Sequence, residues 1–325
     1  MKNFLLALLT GLLVTFAWPV GGWAFLLFFA FVPLLFVEYD IRMSKGRRKK
    51  WKIFGLSYLS FFIWNLLTTY WLLFSTIFGG VIAIVFNSLF MALVFLLYHI
   101  VAKRTTFRAG SAFLICFWIC FEFLHLKWEF SWPWLNLGNG FSEAIYWVQW
   151  YEFTGTFGGT LWVWLVNFGI FTTLLLYREH RVKEIIYRGL VKNSLLIIIP
   201  AVISVILWNT HGESKKSLEA VVLQPNINPY TEKYNTSDVR IGALLTGLAE
   251  QSVTPDTRIV IAPETVFADG TPLTDFQNSQ AYFFTSEFVK EHPATSFLSG
   301  VSMYDRFSDP LKVSPQSNRI GPMDW

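Results

Sequence analysis

Charge is scarce in this chain. Only 15% of its 325 residues are Asp, Glu, Lys or Arg, against about 25% in an ordinary soluble domain. With 54% hydrophobic and 18% aromatic residues, that shortage points away from a wholly soluble protein, and no nucleic-acid partner is expected. Cysteine is scarcer still: Cys116 and Cys120 stand four apart on one helical face inside an apolar run. Two such residues make neither a disulfide framework nor a zinc site, and both are expected to be small buried apolar side chains. No cysteine follows position 120, so the C-terminal third offers no thiol nucleophile.

The charges that are present are unevenly placed. Residues 1–212 hold 17 Lys and Arg against 8 Asp and Glu, a net of +9, while residues 213–325 hold 9 against 14, a net of −5. Fourteen of the 15 Trp also lie in the first part. The shift near His211-Gly212-Glu213 reads as a domain border, giving a membrane domain over 1–212 and a second domain over 213–325.

A helix that spans a bilayer needs about 20 apolar residues, roughly 17–25. Seven runs qualify or come close: 4–18, 23–37, 53–74, 81–101, 109–126, 158–177 and 194–208. The first two and the last are short, but the connections support them. Arg42, Lys45, Arg47, Arg48, Lys49, Lys50 and Lys52 follow the second run, Lys103, Arg104 and Arg108 the fourth, and Arg178, Arg181, Lys183, Arg188 and Lys192 the sixth. Residues 19–22 and 75–80 have no basic residue and 127–157 only Lys127. This alternation follows the positive-inside rule. It requires all seven runs to cross, places the N-terminus in the cytoplasm and sends residues 213–325 to the outer face. An alternative makes residues 1–17 a cleaved signal peptide, which leaves the later topology unchanged. Basic loops such as 47–50 are expected to face anionic lipid.

The stretch 127–151 carries Trp128, Trp132, Trp134, Trp147 and Trp150 among Pro133, Gly138, Asn139 and Gly140. Tryptophan favours the headgroup level, so the stretch reads either as an aromatic belt or as the wall of a lipid-binding cleft, with Trp134, Gly138 and Asn139 as candidate substrate contacts. Glu122 and His125 lie near the outer end of the fifth run. Ionisable groups at membrane depth are costly and count as functional candidates, unless both simply reach the interface.

From Leu218 the apolar runs shorten. Residues 218–224 read as a strand, 237–251 as a helix, 258–264 as a strand ending at Glu264, 277–291 as a helix and 295–303 as a third strand with Gly300 inside it. The order β-α-β-α-β implies a parallel sheet covered by helices. Residues 311–325 show no clear element. In Arg258-Ile-Val-Ile-Ala-Pro-Glu264, the β-branched run reads as a buried strand and Pro263 stops it. The Glu264 carboxylate then sits at the strand's C-terminal end, where open α/β sheets place ligands. It is either a solvated turn residue or a general base.

Several motifs in this order resemble one family. Val222-Leu-Gln-Pro-Asn-Ile-Asn-Pro229, Ala262-Pro-Glu-Thr265, Pro133-Trp-Leu-Asn-Leu-Gly138 and Phe297-Leu-Ser-Gly300, behind an N-terminal set of membrane helices, are together similar to apolipoprotein N-acyltransferase, a bacterial inner-membrane enzyme. The resemblance implies a multi-pass α-helical membrane domain followed by a partial α/β, nitrilase-like (α-β-β-α) extracytoplasmic domain. It implies transfer of an acyl chain from a phospholipid donor to the N-terminal diacylglyceryl-cysteine of an apolipoprotein, without cofactor or metal. Members use a Glu base, an oxyanion-holding Lys and a Cys that forms an acyl thioester. Glu264 matches the base. Neither the Cys nor the Lys has a counterpart, since Lys290 falls in an expected helix and Lys312 precedes the expected position. The chain therefore looks like the N-terminal portion of such an enzyme and is expected to be inactive alone. The alternative is a non-catalytic membrane protein that binds lipid or a partner through the same fold.

Overall fold

The computed structural model describes residues 1–128, 131–212, 217–228, 231–233 and 235–305. Contacts divide the chain into two units, Met1–His211 and Gly212–Trp325.

The first unit is helical: α1 (Lys2–Ala17), α2 (Leu27–Ala30), α3 (Val32–Met43), α4 (Lys49–Thr69), α5 (Leu72–Ser75), α6 (Ile77–Ala102), α7 (Phe107–His125), α8 (Tyr151–His180) and α9 (Lys183–Thr210). Among the described residues, five segments are long and apolar enough to cross a membrane: Ala24–Met43, Ile77–Ala102, Phe107–His125, Tyr151–His180 and Lys183–Thr210. α1 is apolar but has 16 residues. α4 has 21 and begins in the basic cluster Lys49-Lys50-Trp51-Lys52. The protein is thus a multi-pass membrane helical domain joined to a smaller α/β region.

Side chains join the connections at each end of the bundle. Lys2 Nζ and Arg178 Nη1 both reach Asp40, at 3.0 and 2.8 Å, and Arg42 donates to the Ala102 carbonyl, so the basic connections share one end. At the other end, Trp71 stacks edge-on with Trp134 at 5.7 Å, the Gly21 amide donates to Glu143 at 3.1 Å, and Tyr146 meets Trp208 of α9 at 4.7 Å. α9 therefore leaves the bundle opposite the basic connections.

Hydrocarbon offers no hydrogen bonds, so each break in a helix needs an internal partner. Between α2 and α3, the Asn167 side chain accepts from the Phe31 amide at 2.9 Å and donates to the Leu27 carbonyl at 2.8 Å. In α9, Pro200 has no N–H for the Leu196 carbonyl, and Trp162 Nε1 donates to that carbonyl instead, at 2.7 Å. Small residues let α1 meet α4: a Cβ on Gly11 would lie 2.7 Å from the Ser60 carbonyl, and Ser60 Oγ bonds the Ala7 carbonyl at 2.7 Å. Phe28, Phe31, Trp64, Trp118 and Trp164 fill the centre, fully buried.

Cys116 and Cys120 are exposed on the bundle surface, contrary to their expected burial. α7 turns Leu114, Trp118, Phe121, Glu122 and His125 inward, which leaves the cysteines on the outward strip. In a bilayer, lipid tails rather than protein supply their apolar surroundings.

The second unit holds β1 (Glu219–Val222), α10 (Asp238–Glu250), β2 (Thr257–Ile261), β3 (Phe267–Pro272), α11 (Gln280–Glu291), β4 (Ser296–Leu298) and β5 (Val301–Tyr304). β1, β2 and β4 form a parallel sheet in that order, with Val221 opposite Val260 and Val260 opposite Phe297. Two differences from expectation stand out. The third strand is two short strands, β4 and β5, split at Ser299-Gly300. β5 pairs in parallel with β3 in a separate two-stranded sheet, and Phe-Ala-Asp-Gly-Thr-Pro of β3 has too little β propensity to announce itself. Leu223, Ile241, Leu245, Val260, Phe267 and Phe288 make the core. Asp238 clamps α10 to β3: it accepts from the Ala268 amide at 2.9 Å, and its own amide donates to Asp269 at 2.8 Å. Burial pushes the Asp238 carboxyl above its ordinary range. Residues 311–325, Lys312 and Pro229 lie outside the described residues.

Candidate functional site

Each unit holds one candidate, and each is built locally. In the second, β2 hands the chain to a tight turn. The Ala262 amide bonds the Leu298 carbonyl at 2.8 Å, Gly300 donates to the Pro263 carbonyl at 3.3 Å, and the Phe267 amide returns to the Gly300 carbonyl at 3.3 Å. The Glu264-Thr265 turn is thereby laid against the gap between β4 and β5. A Cβ at position 300 would stand 2.2 Å from the Thr265 nitrogen and 2.9 Å from Glu264 Cα, so the backbone approach requires glycine there. Thr265 adopts φ +51°. A β-branched residue in the left-handed region is a true outlier, and outliers held by their surroundings cluster at active sites.

Above this fixed backbone the Glu264 side chain is exposed, and no hydrogen bond or ion pair reaches it from the described residues. A carboxylate so placed can accept a proton from a group delivered to it. The strand end and the proline were legible in sequence. The Gly300 cradle was not, because it joins residues 36 positions apart, although the glycine inside an otherwise strand-like run was the available signal.

In the first unit, a groove of about 600 Å³ opens at the Trp-rich end, lined by Trp18, Pro19, Thr69, Trp71, Trp134 and Asn139 among others. Trp134 is 56% exposed and forms its rim, while Asn139 ties its own loop by donating to the Pro133 carbonyl at 2.9 Å. Gly138 is buried and does not line the groove. A Cβ there would lie 1.9 Å from the Thr156 carbonyl, so this glycine seats the loop against α8. The structure thus brings Trp134 and Asn139 together and sets Gly138 behind them. Sequence reasoning missed Thr68 and Thr69 at the end of α4 and Trp71 just after it, which also line the groove.

Glu122 and His125 lie inward of the groove wall. Glu122 is 2% exposed and His125 3%. His125 accepts from Trp128 Nε1 at 3.1 Å and borders a separate small cavity of about 140 Å³ with Asn87 and Trp132. Glu250, Glu291 and His292 gather ligand atoms within 4.8 Å of one another. There, His292 Nε2 already pairs with Glu250 at 2.9 Å, and both carboxylates stand in solvent.

A multi-pass helical bundle with an aromatic groove at one end, followed in sequence by an α/β unit presenting a carboxylate at a strand terminus, defines a class of multi-pass membrane protein with an appended α/β unit. Comparison makes this particular. Residues 10–169 match the family described as apolipoprotein N-acyltransferase N-terminal domain. A relative named apolipoprotein N-acyltransferase, from Chlorobaculum tepidum, is 26% identical over 272 residues, covering 81% of this chain and 49% of the relative. The chain therefore spans about half the length of the curated relative it matches. Both comparisons agree with the motifs: residues 10–169 are similar to the N-terminal membrane domain of the apolipoprotein N-acyltransferase family.

Proposed function

We propose that this chain supplies the lipid-binding membrane domain and the general base of an apolipoprotein N-acyltransferase. The acyl donor is a phospholipid and the acceptor is the N-terminal amine of a diacylglyceryl apolipoprotein. The observation that carries the reading is the Glu264 turn: an exposed carboxylate on a backbone locked by Gly300 and strained at Thr265.

In this reading Glu264 takes the proton of a thiol, which is only slightly ionised near neutral pH and needs a base. The thiolate attacks the donor ester carbonyl and a thioester forms. The leaving lysophospholipid oxygen takes the proton back from Glu264. The acceptor amine then attacks the thioester and releases the thiol. Anchoring the site in the membrane that holds both amphiphiles shortens the search. The aromatic groove receives acyl chains, with Trp134 and Asn139 on its wall. Residues 213–325 contain no cysteine, so the thiol comes from outside this segment, no lysine within it is assigned to the oxyanion, and residues 1–325 alone are inactive. The basic connections face the cytoplasm and the α/β unit faces the periplasm at the bacterial inner membrane.

Incubation of residues 1–325 with radiolabelled phospholipid should give no hydroxylamine-sensitive label on the chain. Labelling would overturn the assignment of the thiol. A reporter fused after residue 264 should be active only when translocated, and activity in the cytosol would overturn the topology.

A further inference from the structure

Glu122 has no part in the reading above, yet it occupies an expensive place. It is 2% exposed in α7, and a buried carboxylate without partners is costly. A second buried glutamate among the described residues, Glu38, has Arg42 at 3.0 Å and His99 at 2.7 Å. Among the described residues, no cation pairs with Glu122. It has three donors, drawn from three parts of the unit. Trp118 Nε1, from its own helix, reaches Oε1 at 3.0 Å. The Leu137 amide reaches the same oxygen at 2.8 Å, and Thr160 Oγ1, from α8, reaches Oε2 at 2.6 Å.

Thr160 extends the network by accepting from the Gly138 amide at 3.2 Å, and Tyr151 donates to the Gly138 carbonyl at 2.9 Å. Two consecutive backbone amides therefore end on Glu122 or on its partner. There is little slack around them, because a Cβ on Gly159 would meet Tyr151 Oη at 1.7 Å. The groove residues Trp134, Leu135 and Asn139 flank this anchored dipeptide. They sit in 3₁₀ turns of three and five residues, which carry little stability of their own. Packing of Leu137 and Phe141 alone would not call for a carboxylate, since an apolar side chain fills such a site at less cost.

We infer that Glu122 is a positioning residue for the groove: from inside the bundle, its carboxylate fixes the segment whose outer side forms the wall at Trp134 and Asn139. The bearing of this anchor on lipid binding rests on the groove reading proposed above, whereas the anchoring itself does not.

The test places a nitroxide at Ser142, an exposed groove residue, by S142C in a chain carrying C116S and C120S, reconstituted in phosphatidylethanolamine–phosphatidylglycerol vesicles. With Glu122 present the spectrum should be immobilised. In Glu122→Ala the mobile fraction should rise by about tenfold, the equilibrium shift of losing one net hydrogen bond to a charged group. Glu122→Gln keeps the volume, can still accept from Trp118 and Leu137 through one oxygen and can donate to Thr160, but lacks the charge, so it should fall between the two. An unchanged spectrum in Glu122→Ala with unchanged helix content overturns the proposal. If that variant does not fold, Thr160→Val decides: it should raise mobility in the same direction, and an immobilised spectrum there overturns the anchor. A photoreactive acyl-chain phospholipid read on the same samples separates the two readings. Cross-linking to residues 131–142 that falls with mobility supports both. A mobility change with no cross-linking in any form upholds the anchor and removes the lipid groove.

Discussion

The surroundings of Glu122 and Glu264 contrast at every point. Glu122 is enclosed, its oxygens occupied by three donors on rigid helices and a loop amide. Glu264 is exposed, its side chain unengaged by the described residues, while the backbone beneath it is held by Gly300 and strained at Thr265. Identical carboxylates take different tasks when their environments differ. In the membrane unit, order is invested in the side chain and serves placement. In the α/β unit it is invested in the main chain, and the side chain is left available for chemistry.

The sharpest way to break this contrast is Glu264→Gln. In an assembly that supplies the thiol, thioester formation should fall by about 10²–10⁴-fold, the usual contribution of a general base, while the melting temperature of the α/β unit stays unchanged. A large loss of stability would mean that Glu264 is structural after all. Glu122→Ala should behave oppositely, lowering resistance to denaturation in detergent by about 3 kcal/mol, because several buried donors lose one acceptor and each costs roughly 1–3 kcal/mol. Gly300→Ala sharpens the comparison: it should destabilise the α/β unit by about 1–3 kcal/mol through overpacking and also slow acyl transfer, although the carboxylate is retained. The smallest expected effect concerns pH. Burial raises the Asp238 carboxyl, so its stability contribution is fully present below the ordinary carboxylate range and is lost as pH rises through the raised value. Asp238→Asn should flatten that slope in hydrogen exchange at the α10 amides.

Much of the bundle was legible in sequence because apolar runs and basic connections are local signals. Six of the seven runs lie within or overlap α1, α3, α4, α6, α7 and α9, and the remaining run lies inside α8. The helices extend beyond several runs, as at Lys49 and Lys183, because a polar first turn keeps its backbone bonds. The break between α2 and α3 was not legible, since its partner Asn167 lies 136 positions from Phe31. The same reason hid the pairing of β3 with β5 and the Gly300 cradle. At the groove, the aromatic cluster identified Trp134, but the division of labour between exposed Asn139 and buried Gly138 depends on which side of the loop meets α8.

The outward strip of α7 has a practical consequence. Thiols at positions 116 and 120 lie on the exposed side of an apolar helix, so in a bilayer they meet lipid tails and few water-borne reagents. Maleimides that partition into the bilayer can reach them while impermeant reagents cannot, which makes this pair a built-in depth gauge for α7.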